Sequence, residues 1–202
     1  PAFCFLVGDL FSVPRERLLS VACSVEMIHT ASLIMDDLPH MDNERLRRGK
    51  QANHLVFGQD VASLASIGLL MKAYEIVLDD PGLPADQKTP VVSRLAGAVG
   101  FDGMVGGQYA DLKHLNASTD FETLEFIHLH KTASLFVASG EASAIVVGAS
   151  ALEMDAVRAF ARNVGFAFQV LDDLLDASGD EKVAGKTLQK DKGTFVSLRG
   201  LE

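Results

Sequence analysis

The sequence predicts an all-α fold, and two observations support this class. Apolar residues recur with helical periodicity through nearly every long segment, whereas the alternating patterns typical of strands are scarce. Of the 202 residues, 48% are hydrophobic and 22% are charged, which is the composition of an ordinary globular core. We therefore expect a single all-helical domain over residues 1–202.

The predicted helices are separated by stretches of turn-forming residues. Asp-Asp-Pro-Gly-Leu-Pro at 79–84 separates the second helix from the third, and Asn-Ala-Ser-Thr-Asp at 116–120 precedes the fourth. Ser118 or Thr119, followed by Glu122, resembles a capping box. The predicted helices cover 15–38, 60–78, 89–112, 120–149 with a break near Gly140, and 154–176.

Composition excludes some partners. The formal charge of −9, without any basic run, argues against nucleic acid binding. Residues 132–152 are nearly apolar, but Gly140 and Glu141 fall in their middle and no cationic flank follows, so we expect a buried helix and no transmembrane segment.

The two cysteines, Cys4 and Cys23, suit free thiols in a reducing compartment. We expect a cytoplasmic protein, with a plastid location left open because the chain begins at Pro1 without Met. We also expect further N- and C-terminal segments of the fold to lie outside this chain.

The first of two aspartate clusters contains Asp36, Asp37 and Asp42 at the end of an apolar helix. Pro39 lacks an N–H and clashes with the preceding turn, so the helix should end there. The bend after it should bring Asp42 back to face Asp36 and Asp37.

The second cluster contains Asp172, Asp173 and Asp176, also within an apolar helical segment. Helical spacing places Gln169 one turn earlier on the same stripe. The opposite side should pack inward through its apolar residues, which are Phe166, Val170, Leu171, Leu174 and Leu175.

Crowded carboxylates repel one another and need a cation to hold them together. Oxygen ligands favour a hard ion, so Mg²⁺ carrying a phosphorylated substrate is the predicted occupant. Either cluster alone could be a solvated acidic helix end, but two in one chain make that explanation weaker.

Cationic side chains follow both clusters. Arg47 and Arg48 can bind diphosphate oxygens bidentately, or they can neutralise their acidic neighbours at 42–44. His128, Lys131 and Thr132 have i, i+3, i+4 spacing on one helical face, which is also common in surface patches. Lys186 lies in a Lys-rich loop that could close over phosphates.

Taken in order, these motifs resemble those of the trans-isoprenyl diphosphate synthase family, of the short-chain kind near the geranylgeranyl and farnesyl diphosphate synthases. The matching stretches run through almost the whole chain. They are Glu-Met-Ile-His-Thr at 26–30, the first aspartate cluster, Leu-Arg-Arg-Gly-Lys at 46–50, Gly-Gly-Gln at 106–108 with Asp111, His-Lys-Thr at 130–132, Phe-Gln-Val-Leu-Asp-Asp-Leu-Leu-Asp at 168–176 and Gly-Lys-Thr at 185–187.

The resemblance implies a helical bundle around a central apolar shaft, a homodimer and about three Mg²⁺ ions. The implied substrates are isopentenyl diphosphate and an allylic diphosphate (dimethylallyl, geranyl or farnesyl). The implied metal ligands are Asp36, Asp37, Asp42, Asp172, Asp173 and Asp176. The implied catalytic residues are Asp36, Asp37, Asp172 and Lys131. Arg47, Lys131, Thr132, Gln169 and Lys186 would bind the allylic diphosphate, and Arg48 would bind isopentenyl diphosphate.

The same resemblance bears on product length and on activity. Ala31 and Ser32, five and four residues before Asp36, should set the depth of the shaft, and because both are small we expect a C20 product, with C15 next. Relatives usually have Gly-Asp where this chain has Ser66-Ile67. That difference leaves open a catalytically silent or regulatory subunit of a heteromeric synthase, and a purely structural helical protein is the third, weaker alternative.

Overall fold

The fold is a helical bundle, seen in a computed structural model that describes residues 1–114 and 120–178, with side chains to residue 175. The described residues form nine α-helices and one short hairpin. The helices are α1 (Ala2–Leu10), α2 (Leu19–Asp36), α3 (Asn53–Phe57), α4 (Gln59–Leu78), α5 (Ala85–Val99), α6 (Met104–His114), α7 (Phe121–His128), α8 (Ser134–Val147) and α9 (Ala151–Ser178). The all-α prediction is confirmed.

The central helix of the bundle is α8, which packs against α1, α2, α5 and α9. Its side chains are small on most faces, and Ala138, Ala142 and Ala144 are at most 2% exposed. Its neighbours contribute the larger core side chains, among them Leu18, Ile28 and Leu95. Burial within the chain therefore explains the apolar character of residues 132–149, and this helix needs no partner to cover it.

The chain turns back after α2 as the sequence predicts. The helix ends at Asp36, and the backbone N–H of Asp42 donates to the carbonyl of Asp36 at 2.9 Å. A two-stranded hairpin follows, β1 (Leu46–Arg47) and β2 (Lys50–Gln51). Arg48 and Gly49 form its turn with φ of +53° and +73°, the left-handed pair that a tight hairpin requires. This hairpin was not predicted from the sequence.

The single helix expected over 89–112 is wrong. Helix α5 ends at Val99, because Gly100 leaves the helical conformation with ψ of −168°, and α6 begins at Met104. A Cβ on Gly103 would collide with the carbonyl of Ala98, so glycine permits the tight turn between the two helices.

The break expected near Gly140 is also wrong. Gly140 is buried inside α8, where its missing side chain admits Phe3 of α1 and Val157 of α9. The irregularity lies earlier, at Leu129–Ala133, which forms a π-helical segment between α7 and α8. We call these five residues the π segment. The N-cap of α7 is Asp120, whose side chain accepts from the Thr123 N–H at 2.8 Å; the predicted caps at 118 and 119 lie outside the described residues.

Among the described residues, two helical stretches are long and apolar enough to cross a membrane by length and composition, Arg15–Asp36 and Gln59–Leu78. Core helices of soluble proteins pass the same test, and α2 and α4 pack against each other here. Helix α4 nevertheless leaves an apolar stripe uncovered in this chain. We define the α4 stripe as Val61, Leu64, Ile67, Met71 and Leu78, which are between 47% and 70% exposed.

Candidate functional site

Lys131 of the π segment lies among carboxylates that come from three other parts of the chain. Its Nζ donates to Asp111 Oδ2 of α6 at 2.6 Å and lies 3.7 Å from Asp42 Oδ2. Burial disfavours the charged ammonium, but the carboxylates of Asp111, Asp36 and Asp42 outweigh it and raise the pKa of Lys131 above its ordinary value. Lys131 is therefore a fixed positive charge beside the first aspartate cluster.

The other side of the π segment contacts the second cluster. Thr132 Oγ1 donates to Gln169 Oε1 of α9 at 2.7 Å, and Gln169 Nε2 donates to Asp173 Oδ1 at 3.2 Å. His128 Nε2 lies 3.8 Å from Asp173 Oδ2. The π segment thus connects the helix that carries Asp172 and Asp173 to the loop that carries Asp42.

Burial lowers the pKa of His128 to about 4. The Lys131 ammonium also lowers this pKa, whereas the carboxylates of Asp111 and Asp172 raise it. Its imidazole is therefore neutral at pH 7. The expected common face for His128, Lys131 and Thr132 is wrong, because the wider π turn changes the helical phase. Lys131 faces α6, whereas His128 and Thr132 face α9.

The guanidinium of Arg47 binds the first cluster in this structure. Its Nε and Nη2 both donate to Asp37 Oδ1, the former at 3.0 Å, and Asp37 is only 2% exposed. The sequence left open whether Arg47 binds diphosphate or neutralises an acidic neighbour. Here its hydrogen bonds are with Asp37. Burial opposes the charged guanidinium, but these bonds and the carboxylate of Glu44, one of the expected neighbours, raise its pKa.

Arg48 lies apart from this pair, at the tip of the hairpin. Its Nη2 contacts His29 Nε2 at 3.2 Å, and its Nη1 lies 3.9 Å from Glu26 Oε1. Burial lowers the pKa of His29, so the neutral ring can accept from the guanidinium. His29 belongs to the matching stretch at 26–30, and nothing in its spacing predicts a contact with Arg48.

The carboxylates fit a hard cation by the chemistry of their donor atoms, which are all oxygens. Within the described part of the chain, no group of three His, Cys, Asp or Glu side chains is already arranged to hold a metal ion. Cationic side chains occupy those carboxylates instead: Arg47 binds Asp37, and Lys131 binds Asp111 and faces Asp42. Such pairing holds acidic side chains together without a metal.

Some residues of the predicted site lie outside the described part of the chain, and others differ from their expected burial. Lys186 and the side chain of Asp176 lie outside the described residues. Leu171 and Leu174, expected to pack inward, are 54% and 42% exposed. The inward side of α9 carries Gln169 and the buried Asp173 instead, because the contacts with the π segment are polar.

The two residues expected to set product length lie on α2 below the first cluster. Ala31 is 4% exposed, and its carbonyl accepts from Ser66 Oγ of α4 at 2.7 Å. Ser32 is half-buried, and its hydroxyl donates to the carbonyl of His29 at 2.9 Å. Ser66 therefore ties α4 to α2, while its neighbour Ile67 lies in the exposed α4 stripe and not among the aspartates.

Comparisons with known proteins identify the family of the chain. The Polyprenyl synthetase family model matches residues 1–202. The chain is 48% identical to the chloroplastic geranylgeranyl pyrophosphate synthase of Capsicum annuum, with 100% of this chain and 56% of that protein covered. It is 45% identical to the chloroplastic heterodimeric geranylgeranyl pyrophosphate synthase large subunit 1 of Arabidopsis thaliana, of which it covers 57%.

Among solved structures, the fold is similar to the geranyltransferase from Helicobacter pylori complexed with magnesium and isoprenyl diphosphate. The TM-score is 0.91 at 33% sequence identity, covering 98% of this chain and 69% of that one. The chain therefore spans a little over half the length of the two plant relatives and about two thirds of this solved structure.

Proposed function

The chain belongs to the polyprenyl synthetase family, and we propose that its protein is a Mg²⁺-dependent prenyltransferase. It condenses isopentenyl diphosphate with an allylic diphosphate to a short trans-isoprenyl diphosphate, with C20 favoured. Support comes from the relatives named geranylgeranyl pyrophosphate synthase and from the structural neighbour that holds magnesium and isoprenyl diphosphate.

The observation that carries the proposal is the position of Lys131. Its ammonium lies 3.7 Å from Asp42 of the first cluster, while the adjacent Thr132 hydroxyl is bonded to Gln169, which also bonds Asp173 of the second. A diphosphate bound between the clusters would meet the Lys131 ammonium beside the first cluster, and the Thr132 hydroxyl and the Gln169 amide beside the second. The carboxylates of both clusters would be available to bind Mg²⁺.

Each side chain has a task in the proposed reaction. Lys131, Thr132 and Gln169 orient the allylic diphosphate, and the positive charge of Lys131 stabilises the departing anion as the allylic C–O bond breaks. Arg47, which here bonds Asp37, would also contact the diphosphate, and Lys186 would complete the set of cationic side chains. Magnesium held by Asp36, Asp37, Asp42, Asp172, Asp173 and Asp176 would supply further positive charge to the leaving group.

Arg48 and His29 form the proposed site for isopentenyl diphosphate. The guanidinium is about two-thirds exposed and is not bonded to the aspartate clusters, so its fork is available to a second diphosphate. The double bond of that substrate attacks the allylic carbon, and the new chain then loses a proton to the departing diphosphate. Two separate cationic sites therefore suit two diphosphate substrates.

A homodimer formed through the α4 stripe is part of this proposal. Val61, Leu64, Ile67 and Met71 recur at intervals of three to four residues and form one apolar face, and Leu78 follows on the same side beyond the charged Glu75. Ile67, at a position where relatives usually have Asp, extends this face. An exposed patch of this kind on a globular domain is typical of a protein interface.

The alternative is a catalytically silent or regulatory subunit of a heteromeric synthase. One relative supports this alternative, because its name describes it as the large subunit of a heterodimeric synthase. For location, the cytoplasmic expectation stays a prediction, and the plant relatives described as chloroplastic favour testing a plastid location beside it.

Product analysis of the full-length protein tests the proposal. The protein is incubated with isopentenyl diphosphate and each of dimethylallyl, geranyl and farnesyl diphosphate, with Mg²⁺ or with EDTA. We expect condensation that needs both an allylic primer and Mg²⁺. The absence of product with every primer would refute the proposed prenyltransferase activity. Stimulation of a separate active synthase by the inactive protein would then support the subunit alternative.

A further inference from the structure

The π segment is held from two sides by a glycine and a polar residue four positions apart. On α6 these residues are Gly107 and Asp111. A Cβ built on Gly107 would overlap the backbone nitrogen of Lys131 and lie 2.7 Å from its Cα, while Asp111 Oδ2 accepts from Nζ of the same lysine at 2.6 Å. One face of α6 therefore contacts both the backbone and the ammonium of Lys131.

Helix α9 repeats this arrangement on the other side with Gly165 and Gln169. A Cβ built on Gly165 would lie 2.7 Å from the Cα of Ala133 and 2.8 Å from its Cβ. Four residues on, Gln169 Oε1 accepts from the Thr132 hydroxyl at 2.7 Å. The π segment is thus enclosed between two helices that can approach it only because each lacks a side chain at the contact.

We infer that Gly107 and Gly165 are positioning residues for the substrate-binding side chains of Lys131 and Thr132. The inference rests on the proposed function. The glycines bring α6 and α9 within contact of the π backbone, and that approach places Asp111 and Gln169 at hydrogen-bonding distance from Lys131 and Thr132. A binding group needs placement to within about 0.5 Å, which a separated pair of helices would not supply.

Both glycines are required for space and not for backbone conformation, since each is helical. Alanine is a better helix former than glycine, so Gly→Ala in a helix with free space should stabilise it. Gly97 in α5 has no atom within 4 Å of a built Cβ and lies outside the α4 stripe, so it is the matched control. Gly107→Ala and Gly165→Ala should instead push α6 or α9 away from the π segment.

The test compares Gly107→Ala, Gly165→Ala and Gly97→Ala in the full-length protein, each below its own melting temperature. We expect the first two to raise KM for the allylic diphosphate, or lower kcat, by at least about tenfold. KM for isopentenyl diphosphate should stay within about twofold, because the Arg48 guanidinium contacts His29 and Glu26 of α2. Gly97→Ala should match the parent.

Parental kinetics in Gly107→Ala and Gly165→Ala, or equal weakening of both substrates, would overturn the inference while leaving the proposed function intact. An inactive parent would refute the proposed function itself. If a glycine variant does not fold, Asp111→Asn, which keeps the volume but removes the charge, must give the same loss confined to the allylic substrate. Parental kinetics in Asp111→Asn would overturn the inference in that case.

Discussion

Substitution of Asp172 best distinguishes a metal-binding site from a solvated acidic surface. We expect Asp172→Ala to lower turnover by about 10³-fold, which is about 4 kcal/mol of lost stabilisation of the leaving diphosphate. Asp155→Ala is the control, since Asp155 is an exposed carboxylate on the same helix and pairs only with Arg158 at the surface. Steady-state kinetics at saturating Mg²⁺ measures both. Turnover of Asp172→Ala within tenfold of the parent would exclude the metal-ligand role.

Arg48 carries the second prediction, which concerns substrate assignment. Arg48→Ala should raise KM for isopentenyl diphosphate by about tenfold or more, because a charge-assisted contact is worth at least about 1.4 kcal/mol. KM for the allylic substrate should not change. Arg45→Ala, an exposed arginine three residues earlier, is the matched control. An effect seen only with the allylic diphosphate would show that the roles of Arg47 and Arg48 are reversed.

The sequence was sufficient to find the residue types of the site but not their pairs. The aspartate clusters, Lys131, Thr132 and Gln169 stand out because polar and charged side chains interrupt otherwise apolar helical segments. The contacts of Lys131 with Asp111 and of Arg48 with His29 join residues 20 and 19 positions apart on different elements. No local periodicity encodes such pairs, since they depend on how the helices pack.

At the scale of helices, α8 is tied to its neighbours by one buried carboxylate. Glu141 is 6% exposed and accepts from Arg158 of α9, with Arg94 of α5 at 3.6 Å. Glu141→Ala should lower the free energy of unfolding by about 2 kcal/mol, less than for a wholly buried pair because both arginines are partly exposed. Urea denaturation measures this.

Arg94→Ala is the control for that prediction. Its guanidinium is 51% exposed and lies farther from the carboxylate than that of Arg158, so its loss should cost under about 1 kcal/mol. Equal unfolding free energies for Glu141→Ala and the parent would contradict a structural role for the buried carboxylate.

Helix α2 carries the prediction on product length. Ala31 is buried, so Ala31→Phe should fill space beside α2 and shift the product from C20 to C15. The first condensation should be retained, because overpacking one turn below the aspartates blocks growth of the chain rather than ionisation. Ala156→Phe, at an exposed position of α9, is the control. Continued release of C20 by Ala31→Phe would place the end of the shaft elsewhere, as at residues 67–71.

Helix boundaries show the limits of periodicity. The ends of α2 and α4 follow from Pro39 and from the Asp-Pro-Gly turn, and both were predicted within a few residues. The π segment was missed because its five residues are too few to show a period of their own within the helix expected over 120–149. The division between α5 and α6 was missed because Gly100 and Gly103 look like tolerated helical glycines until their packing is known.

For the whole molecule, the α4 stripe predicts a dimer in solution. Sedimentation of the full-length protein at micromolar concentration should give twice the chain mass, and the double change Leu64→Glu with Met71→Glu should give a monomer, since charges on an apolar interface oppose burial. Leu152→Glu, at a residue 82% exposed and outside the stripe, is the control. A monomeric parent would contradict the dimer.

The site depends on the whole bundle because its parts lie far apart in the chain. The first cluster follows α2 and the second lies near the end of α9, and the π segment lies between them.

The central claim is that these three parts bind one diphosphate. The most direct test is a crystal structure of the full-length protein with Mg²⁺ and a non-hydrolysable allylic diphosphate analogue. We predict metal-bridged contacts from Asp36, Asp37 and Asp172 to the diphosphate and a contact from Lys131 Nζ to its oxygens. A diphosphate bound elsewhere, with Lys131 still bonded only to Asp111 and Asp42, would contradict the claim.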